Sequence, residues 1–170
     1  MVCTKLRKTI SKLAKKRHFV ASALIVDGKC EKVLLVKHRK LKAWLPPGGH
    51  IRENELPDEC AVREAKEETS LDVEIVSEAF DVSGARVETI HTPLLAQLEE
   101  IDSEHQHIDL QYLCKIAGGK LHEGKHEEHE QAKWFDERML KESEELQADV
   151  RENAFLALEK ARELRERGLF

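Results

Sequence analysis

The chain falls into short blocks with two hydrophobic rhythms. His18–Val26 and Lys32–His38 are β-branched and aliphatic runs of strand length, and the Asp27-Gly28 dipeptide between them signals a turn, so the two are expected to form a hairpin. Trp44-Leu45-Pro46-Pro47-Gly48-Gly49 breaks every period and reads as a loop whose prolines and glycines fix an unusual backbone path. Pro57 suits the first turn of a helix, with Asp58 and Glu59 at its positive end, and the helix should run to about Thr69. Further strands are expected around Leu71–Val82, Arg86–Gln97 (interrupted by Pro93), Ile108–Ile116 and Ala132–Phe135. A closing helix around Glu145–Arg167 places Val150, Ala154, Leu158, Ala161 and Leu164 on one face. Strands interspersed with a few helices predict a mixed α/β architecture, a mixed sheet covered by helices. No internal repeat, linker or second domain is visible.

Composition narrows the class. The 170 residues suffice for one domain with its own core; 41% hydrophobic residues exclude a disordered polymer, and 36% charged residues exclude a membrane-embedded protein. No apolar run approaches the roughly 18 residues of a spanning helix. The net charge of −5 hides an asymmetry: seven Lys or Arg and no acid lie in residues 1–18, so the remainder sums to −12 (−5 minus +7). Such a body repels nucleic acid, and a phosphate-bearing substrate is held more easily through bound metal than through bulk charge.

The basic start, residues 1–17, is expected to be an amphipathic helix with Leu6, Ile10, Leu13 and Ala14 on one face, part of the domain over residues 18–170 or appended to it. Its composition also resembles a presequence, but Lys dominates where transit peptides favour Arg. Docking of this helix on RNA or an anionic membrane is a further reading. Cys3, Cys30, Cys60 and Cys114 are widely spaced, without a CxxC pair or a preceding secretory segment. Reduced, buried thiols and the cytoplasm are therefore expected.

The chemistry concentrates in Gly49–Leu71, which reads GHIRENELPDECAVREAKEETSL. On a helix, Glu64, Glu67 and Glu68 fall on one arc about 100° wide. Ala61, Val62, Ala65 and Thr69 occupy the neighbouring, core-facing arc, while Arg63 and Lys66 lie further round. Three carboxylates on one arc repel, at a few tenths of a kcal/mol per pair. A divalent cation would turn that repulsion into attraction, and hard oxygen donors select Mg²⁺ or Mn²⁺. The Gly48-Gly49 turn could add a backbone carbonyl.

This pattern resembles the Nudix box, GX5EX7REUXEEXGU with U a bulky aliphatic residue. Gly49, Glu55, Arg63-Glu64, Ala65, Glu67-Glu68 and Leu71 are in register. Ser70 replaces the final Gly, and Ala65 is a small first U. The Gly at that place suits a helix-ending turn, where Ser is strained but tolerated.

The resemblance implies an αβα sandwich and a metal-dependent hydrolase that cleaves a pyrophosphate linkage in a nucleoside diphosphate joined to another group. ADP-ribose, a nucleotide sugar, a dinucleoside polyphosphate or a (deoxy)nucleoside triphosphate would all qualify. It assigns metal binding to Glu64, Glu67 and Glu68, with Gly48 beside them. Glu64 is the first candidate for activating water, with Glu67 also in the catalytic set, although bases differ among members. Arg63 orients a glutamate through an ion pair, and Gly49 and Glu55 support the site.

In this family a further acid often arrives from a late loop. Glu128 is favoured over Glu127 and Glu130 for that position. His122, His126 and His129 nearby are read as surface histidines rather than a zinc site, since no cysteine accompanies them. Residues 83–107 are where members diverge to form the substrate pocket. Arg86 is a candidate phosphate contact, and Tyr112 or Phe80 a stacking platform, each as readily surface charge or core. A small nucleotide is the expected partner, nucleic acid is not, and a homodimer is compatible with the resemblance. The competing reading is a catalytically silent nucleotide-binding or regulatory module, for which boxes with missing glutamates are the expected feature. This box keeps them all.

Overall fold

Lys16–Val26 (β1) explains the layering, because it is buried continuously from Val20 to Val26, the condition of an interior strand covered on both faces. The computed structural model describes residues 15–77, 82, 84, 86–122 and 129–170. Ala21, Ala23 and Ile25 of β1 belong to one core, with Cys60, Ala61 and Ala65 of the helix Pro57–Thr69 (α1). Leu24 and Val26 belong to the other, with Val150, Ala154, Ala157, Leu158, Ala161 and Leu164 of the helix Ala148–Glu166 (α3). The period-2 alternation of one strand thus serves two helices, and the expected αβα sandwich results.

Around β1 the sheet runs Trp44–Leu45 (β3), Lys32–His38 (β2), β1, His105–Gly119 (β7) and Leu71–Ile75 (β5). Gly48–His50 (β4) also pairs with β1, Leu95–Glu100 (β6) with β7, and His129–Asp136 (β8) with β2. β1 and β7 are parallel over eleven residue pairs, from Lys16↔His105 to Val26↔Lys115. The β1–β2 hairpin is present, but its turn is carried by Asp27 and Cys30. Asp27 Oδ1 accepts from the amides of Glu31 (2.7 Å) and Lys32 (2.9 Å), and Cys30 takes the left-handed conformation at φ 57°.

Several boundaries differ from the sequence expectation for physical reasons. The loop at residues 44–49 contains two short strands, because Trp44 and Leu45 pair with β2 and Gly48 and Gly49 pair with β1 on either side of the prolines. The strand expected from Arg86 starts only at Leu95, beyond Pro93, which has no amide to donate. The strand from Leu71 stops at Ile75. A short helix, Glu137–Glu142 (α2), was not anticipated; Asp136 caps it, accepting from the Met139 amide at 2.8 Å.

The basic N-terminal helix cannot reach residue 17. Lys16 and Arg17 are strand residues beside His105 and Gln106, and Arg17 Nε donates to Gln106 Oε1 at 3.0 Å. Leu6, Ile10, Leu13 and Ala14 lie outside the described residues. Cys30, Cys60 and Cys114 are free and buried, as expected, and Cys3 is outside the described residues. Among the described residues no helix is long and apolar enough to cross a membrane.

Candidate functional site

Helix α1 begins and ends through local sequence chemistry. Pro57 occupies its first turn, the Leu56 amide donates to Glu59 Oε2 at 3.0 Å, and Asp58 accepts from the backbone amide of His91 at 3.1 Å. Its end is Ser70, left-handed at φ 64°, with the Ser70 amide returned to the Lys66 carbonyl. That is the turn for which the box normally supplies glycine. Ala65, the small residue at the first aliphatic position, is fully buried. It lets α1 lie close to the sheet.

The close approach brings the acidic arc against β4. Glu64 and Glu68 are buried, at 9% and 4% exposure, whereas Glu67 is more open. Glu68 Oε2 accepts from the Gly48 amide at 3.1 Å. At Gly49 a Cβ would stand 2.7 Å from Glu64 Cδ, so only glycine leaves room for that carboxylate. At Gly48 a Cβ would stand 2.8 Å from the Ala21 carbonyl oxygen, which fixes glycine there by backbone packing.

Arg63 lies at the centre of the acids, which corrects the helix-wheel placement that turned it away from them. A wheel records the Cα direction, while the long guanidinium arm folds back over its own turn. Arg63 Nε donates to Glu55 Oε1 (2.5 Å) and Nη2 to Glu55 Oε2 (2.9 Å), a two-pronged pair. Nη1 donates to Glu64 Oε1 at 2.6 Å and to Glu67 Oε2 at 3.0 Å, and Nη2 also reaches the His50 carbonyl at 3.3 Å. Arg63 is therefore ion-paired with three glutamates, Glu55, Glu64 and Glu67. Its hydrogen bonds hold the Glu55 carboxyl down to about 2, and Glu55 in turn raises Arg63 further above its already high value. Arg52 adds a contact to Glu67 at 3.2 Å.

As ionised groups, four glutamates against two arginines leave this cluster at −2 (−4 plus +2). An all-oxygen, anionic donor set with two buried members fits a hard divalent cation. Cys60, beside these groups, is no nucleophile. Its thiol points to the Gly49 and His50 carbonyls, and burial pushes it up to about 12.

The remaining candidates divide. Glu127 and Glu128 lie outside the described residues, and Glu130 pairs with Lys42. His129 is no surface histidine. It is fully buried, and its Nε2 donates to the backbone carbonyl of Glu68. The start of β8 is thus brought to the end of the acidic arc, and the sequence offered no sign of it beyond the residue's position before a strand. Tyr112 is a core residue at 1% exposure, so no ring face remains for a base to stack on. Burial pushes its hydroxyl up to about 12. Arg86 is exposed in a tight turn closed by Gly84 and Val87, and Phe80 is outside the described residues. A shallow groove of about 480 Å³, lined by Asp58, Val62, Arg63, Val73 and His91 among others, lies on another side of α1 from Glu64 and Glu68.

Sequence reasoning also passed over a buried polar network on the other face of the sheet. Ser22 Oγ donates to Asp109 Oδ1 (3.0 Å), and Gln111 Nε2 donates to Asp109 Oδ2 (2.7 Å). Asn153 of α3 links to Gln97 and Gln111. Burial raises both Asp109 and Glu99 above the usual carboxylate range. The available signal was the polar alternation His107, Asp109, Gln111 in a strand otherwise apolar at its far end.

Comparison with known proteins adds independent findings. A family model described as NUDIX domain matches residues 16–157. A curated relative, a probable DHNTP pyrophosphohydrolase of Lactococcus lactis, is 33% identical over 96 residues, which are 56% of this chain and 52% of that protein. The chain thus aligns with about half the length of that relative. A crystal structure of a hydrolase of the NUDIX family from Clostridium perfringens superposes with TM-score 0.72 at 31% identity, covering 86% of this chain and 99% of that one. The NUDIX domain of Shewanella oneidensis NrtR, complexed with ADP ribose, has the same fold at 17% identity and TM-score 0.61, over 86% of this chain and 90% of that one.

Proposed function

The chain belongs to the NUDIX domain family, and from that premise we propose that it is a divalent-metal-dependent hydrolase of a pyrophosphate linkage. Its substrate is a nucleoside diphosphate joined to another group: ADP-ribose, a nucleotide sugar, a dinucleoside polyphosphate or a (deoxy)nucleoside triphosphate. The observation that carries this reading is the pair of buried carboxylates, Glu64 and Glu68, set against Gly48 and Gly49 of β4 with Glu67 beside them.

Glu64, Glu67, Glu68 and the Gly48 carbonyl would hold Mg²⁺, or Mn²⁺ in its place, with Glu128, which precedes β8 in the sequence, as the further acid. When bound, such a cation neutralises the pyrophosphate and lowers the pKa of a coordinated water. The protein's own groups then have a limited task. Glu64 takes the proton of the attacking water, Glu67 completing the catalytic set. Arg63 and Glu55 are positioning residues, and they lock the orientation of Glu64 before substrate arrives, which limits reorganisation in the reacting state. The cytoplasm remains the proposed compartment.

A silent binding module is the alternative. Against it stands the retention of Glu55, Glu64 and Glu67 around Arg63, with Glu68 buried against the Gly48 amide, which simple ligand binding would not require. The deciding experiment is a panel of ADP-ribose, nucleotide sugars, dinucleoside polyphosphates, dNTPs, oxidised dGTP and DHNTP, assayed with Mg²⁺, with Mn²⁺ and with chelator. Phosphate-containing products that require the metal, and loss of most turnover in Glu68→Gln, are expected. Binding without hydrolysis across the panel would establish the module instead.

A further inference from the structure

Four histidines that the acidic site does not use converge from three strands. The parallel register of β1 and β7 sets His18 directly beside His107 and places His105 two residues earlier on the same face of β7. The antiparallel pairing of β4 with β1 sets His50 opposite Val20. Gly49 turns towards Glu64, whereas Gly48 turns towards Ser22 on the opposite face of the sheet. His50, two residues on from Gly48, shares that opposite face and meets the other three rings there.

The rings form a closed group. His18 and His105 have centroids 4.5 Å apart, His105 and His107 4.7 Å, His50 and His107 4.9 Å, and His18 and His50 5.3 Å. His18 Nδ1 lies 3.2 Å from Nε2 of both His50 and His105. One ring nitrogen from each of the four falls within 4.8 Å of all the others.

These separations have a direct reading. Nitrogens bound tetrahedrally at about 2.0–2.1 Å from one metal ion stand about 3.3–3.4 Å from each other. Two of the pairs, at 3.2 Å, are already near that spacing. All four nitrogens lie within 4.8 Å of one another, so no pair needs to close by more than about 1.4 Å, within reach of a χ rotation in rings that are not fully buried.

The hydrogen-bond balance points the same way. His18 Nδ1 faces two other ring nitrogens, and a single in-plane nitrogen site cannot both donate and accept. The His107 Nε2 atom is enclosed and has no hydrogen-bond partner among the described residues. A buried polar atom left without a partner is costly, and coordination would satisfy it.

We propose that His18, His50, His105 and His107 form a four-imidazole binding site for a transition-metal dication, with zinc as the reference ion. It is distinct in ligand type and in sheet face from the carboxylate site. An imidazole set without carboxylate favours Zn²⁺, Cu²⁺ or Ni²⁺ over the hard Mg²⁺ suited to oxygen donors. The ion would tie β1, β4 and β7 together at the strand that carries Gly48 and Gly49.

The test uses the full untagged chain, stripped with chelator and then titrated with Zn²⁺ in excess Mg²⁺ by calorimetry. Co²⁺ absorption in the visible reports tetrahedral geometry. One tight site per chain is expected, together with a rise in thermal midpoint on adding Zn²⁺. The His18→Ala/His107→Ala double variant should bind at least about 100-fold more weakly, beyond the cost of losing an outer-shell partner. Glu68→Gln and His122→Ala should bind as the wild type does, so the result does not depend on hydrolytic activity. If the double variant misfolds, His50→Gln, which changes the exposed ring, serves with its circular dichroism as a check. Unchanged affinity in the folded variants, or no wild-type binding tighter than about 0.1 mM, a free energy of only about 5–6 kcal/mol, would overturn the proposal.

Discussion

The Glu64 carboxylate occupies space that Gly49 leaves open, since a Cβ on Gly49 would stand 2.7 Å from Glu64 Cδ. The neighbouring Gly48 faces a different obstacle, with the Ala21 carbonyl 2.8 Å and the Ser22 Cα 2.9 Å from a Cβ placed there. A side chain can yield and a strand backbone cannot, so the two glycines predict opposite phenotypes. Gly49→Ala should fold with stability within about 1 kcal/mol of the wild type while kcat falls about 10- to 100-fold as Glu64 is displaced. Gly48→Ala should lose about 1–3 kcal/mol of stability, the usual cost of overpacking. Urea unfolding and steady-state kinetics on both variants separate the two effects. Full turnover in Gly49→Ala would remove Glu64 from the reacting set.

His129 holds the opposite end of the arc through the Glu68 carbonyl. His129→Phe keeps much of the volume and removes the donor, leaving that carbonyl without the bond. Stability should fall by about 1–3 kcal/mol, and kcat should fall more than KM rises, because the disturbed group is the Glu68 backbone rather than a substrate contact. His129→Gln, which can still donate, should recover part of both. A variant with altered KM alone would assign His129 to substrate binding.

What was legible in the sequence followed from local chemistry. Helix α1 spans Pro57–Thr69 as expected, because proline, first-turn acids and a terminal turn are all encoded within the segment. The five buried positions expected of α3 are all buried, since a 3.6-residue apolar stripe has one way to meet a sheet. Features set by partners distant in sequence were not legible. β3 and β4 exist because β2 and β1 are there to receive them. Arg63 finds its acids through side-chain reach rather than wheel angle, and Tyr112 is core because β7 turns it towards α1. The four-histidine group needs the parallel β1–β7 register, joining residues separated by 89 positions at His18 and His107.

Ser70 offers a test of the helix end. A non-glycine residue at φ 64° costs about 1–2 kcal/mol for lack of room at Cβ, part of which glycine repays through its greater freedom in the unfolded chain. Ser70→Gly is therefore expected to stabilise the fold by about 0.5–1 kcal/mol, a rise of about 1–4 °C in thermal midpoint for a chain of this size. Calorimetric scans of the two proteins provide the comparison. A lower midpoint in the variant would mean that the Ser70 side chain makes a compensating interaction.

The Glu55–Arg63 pair fixes the expected response to acid. The Arg63 hydrogen bonds hold Glu55 at about 2, below its ordinary 4.5. A carboxyl whose folded value is depressed contributes stability in full above the unfolded value and loses it as pH falls through the folded value. The wild-type advantage from this pair should thus be complete at pH 7, begin to fade near 4.5 and vanish near 2. Arg63→Gln removes the guanidinium that depresses Glu55, so the variant should be less stable at neutral pH. The gap from wild type should narrow as pH falls from about 4.5 to about 2. Glu55→Gln, which removes the titrating group itself, should show the same narrowing. Urea midpoints at pH 7, 4 and 2.5 for the three proteins make the check. A gap that stays constant across that range would show that Arg63 stabilises the fold through contacts that do not titrate, such as its hydrogen bond to the His50 carbonyl, and not through Glu55.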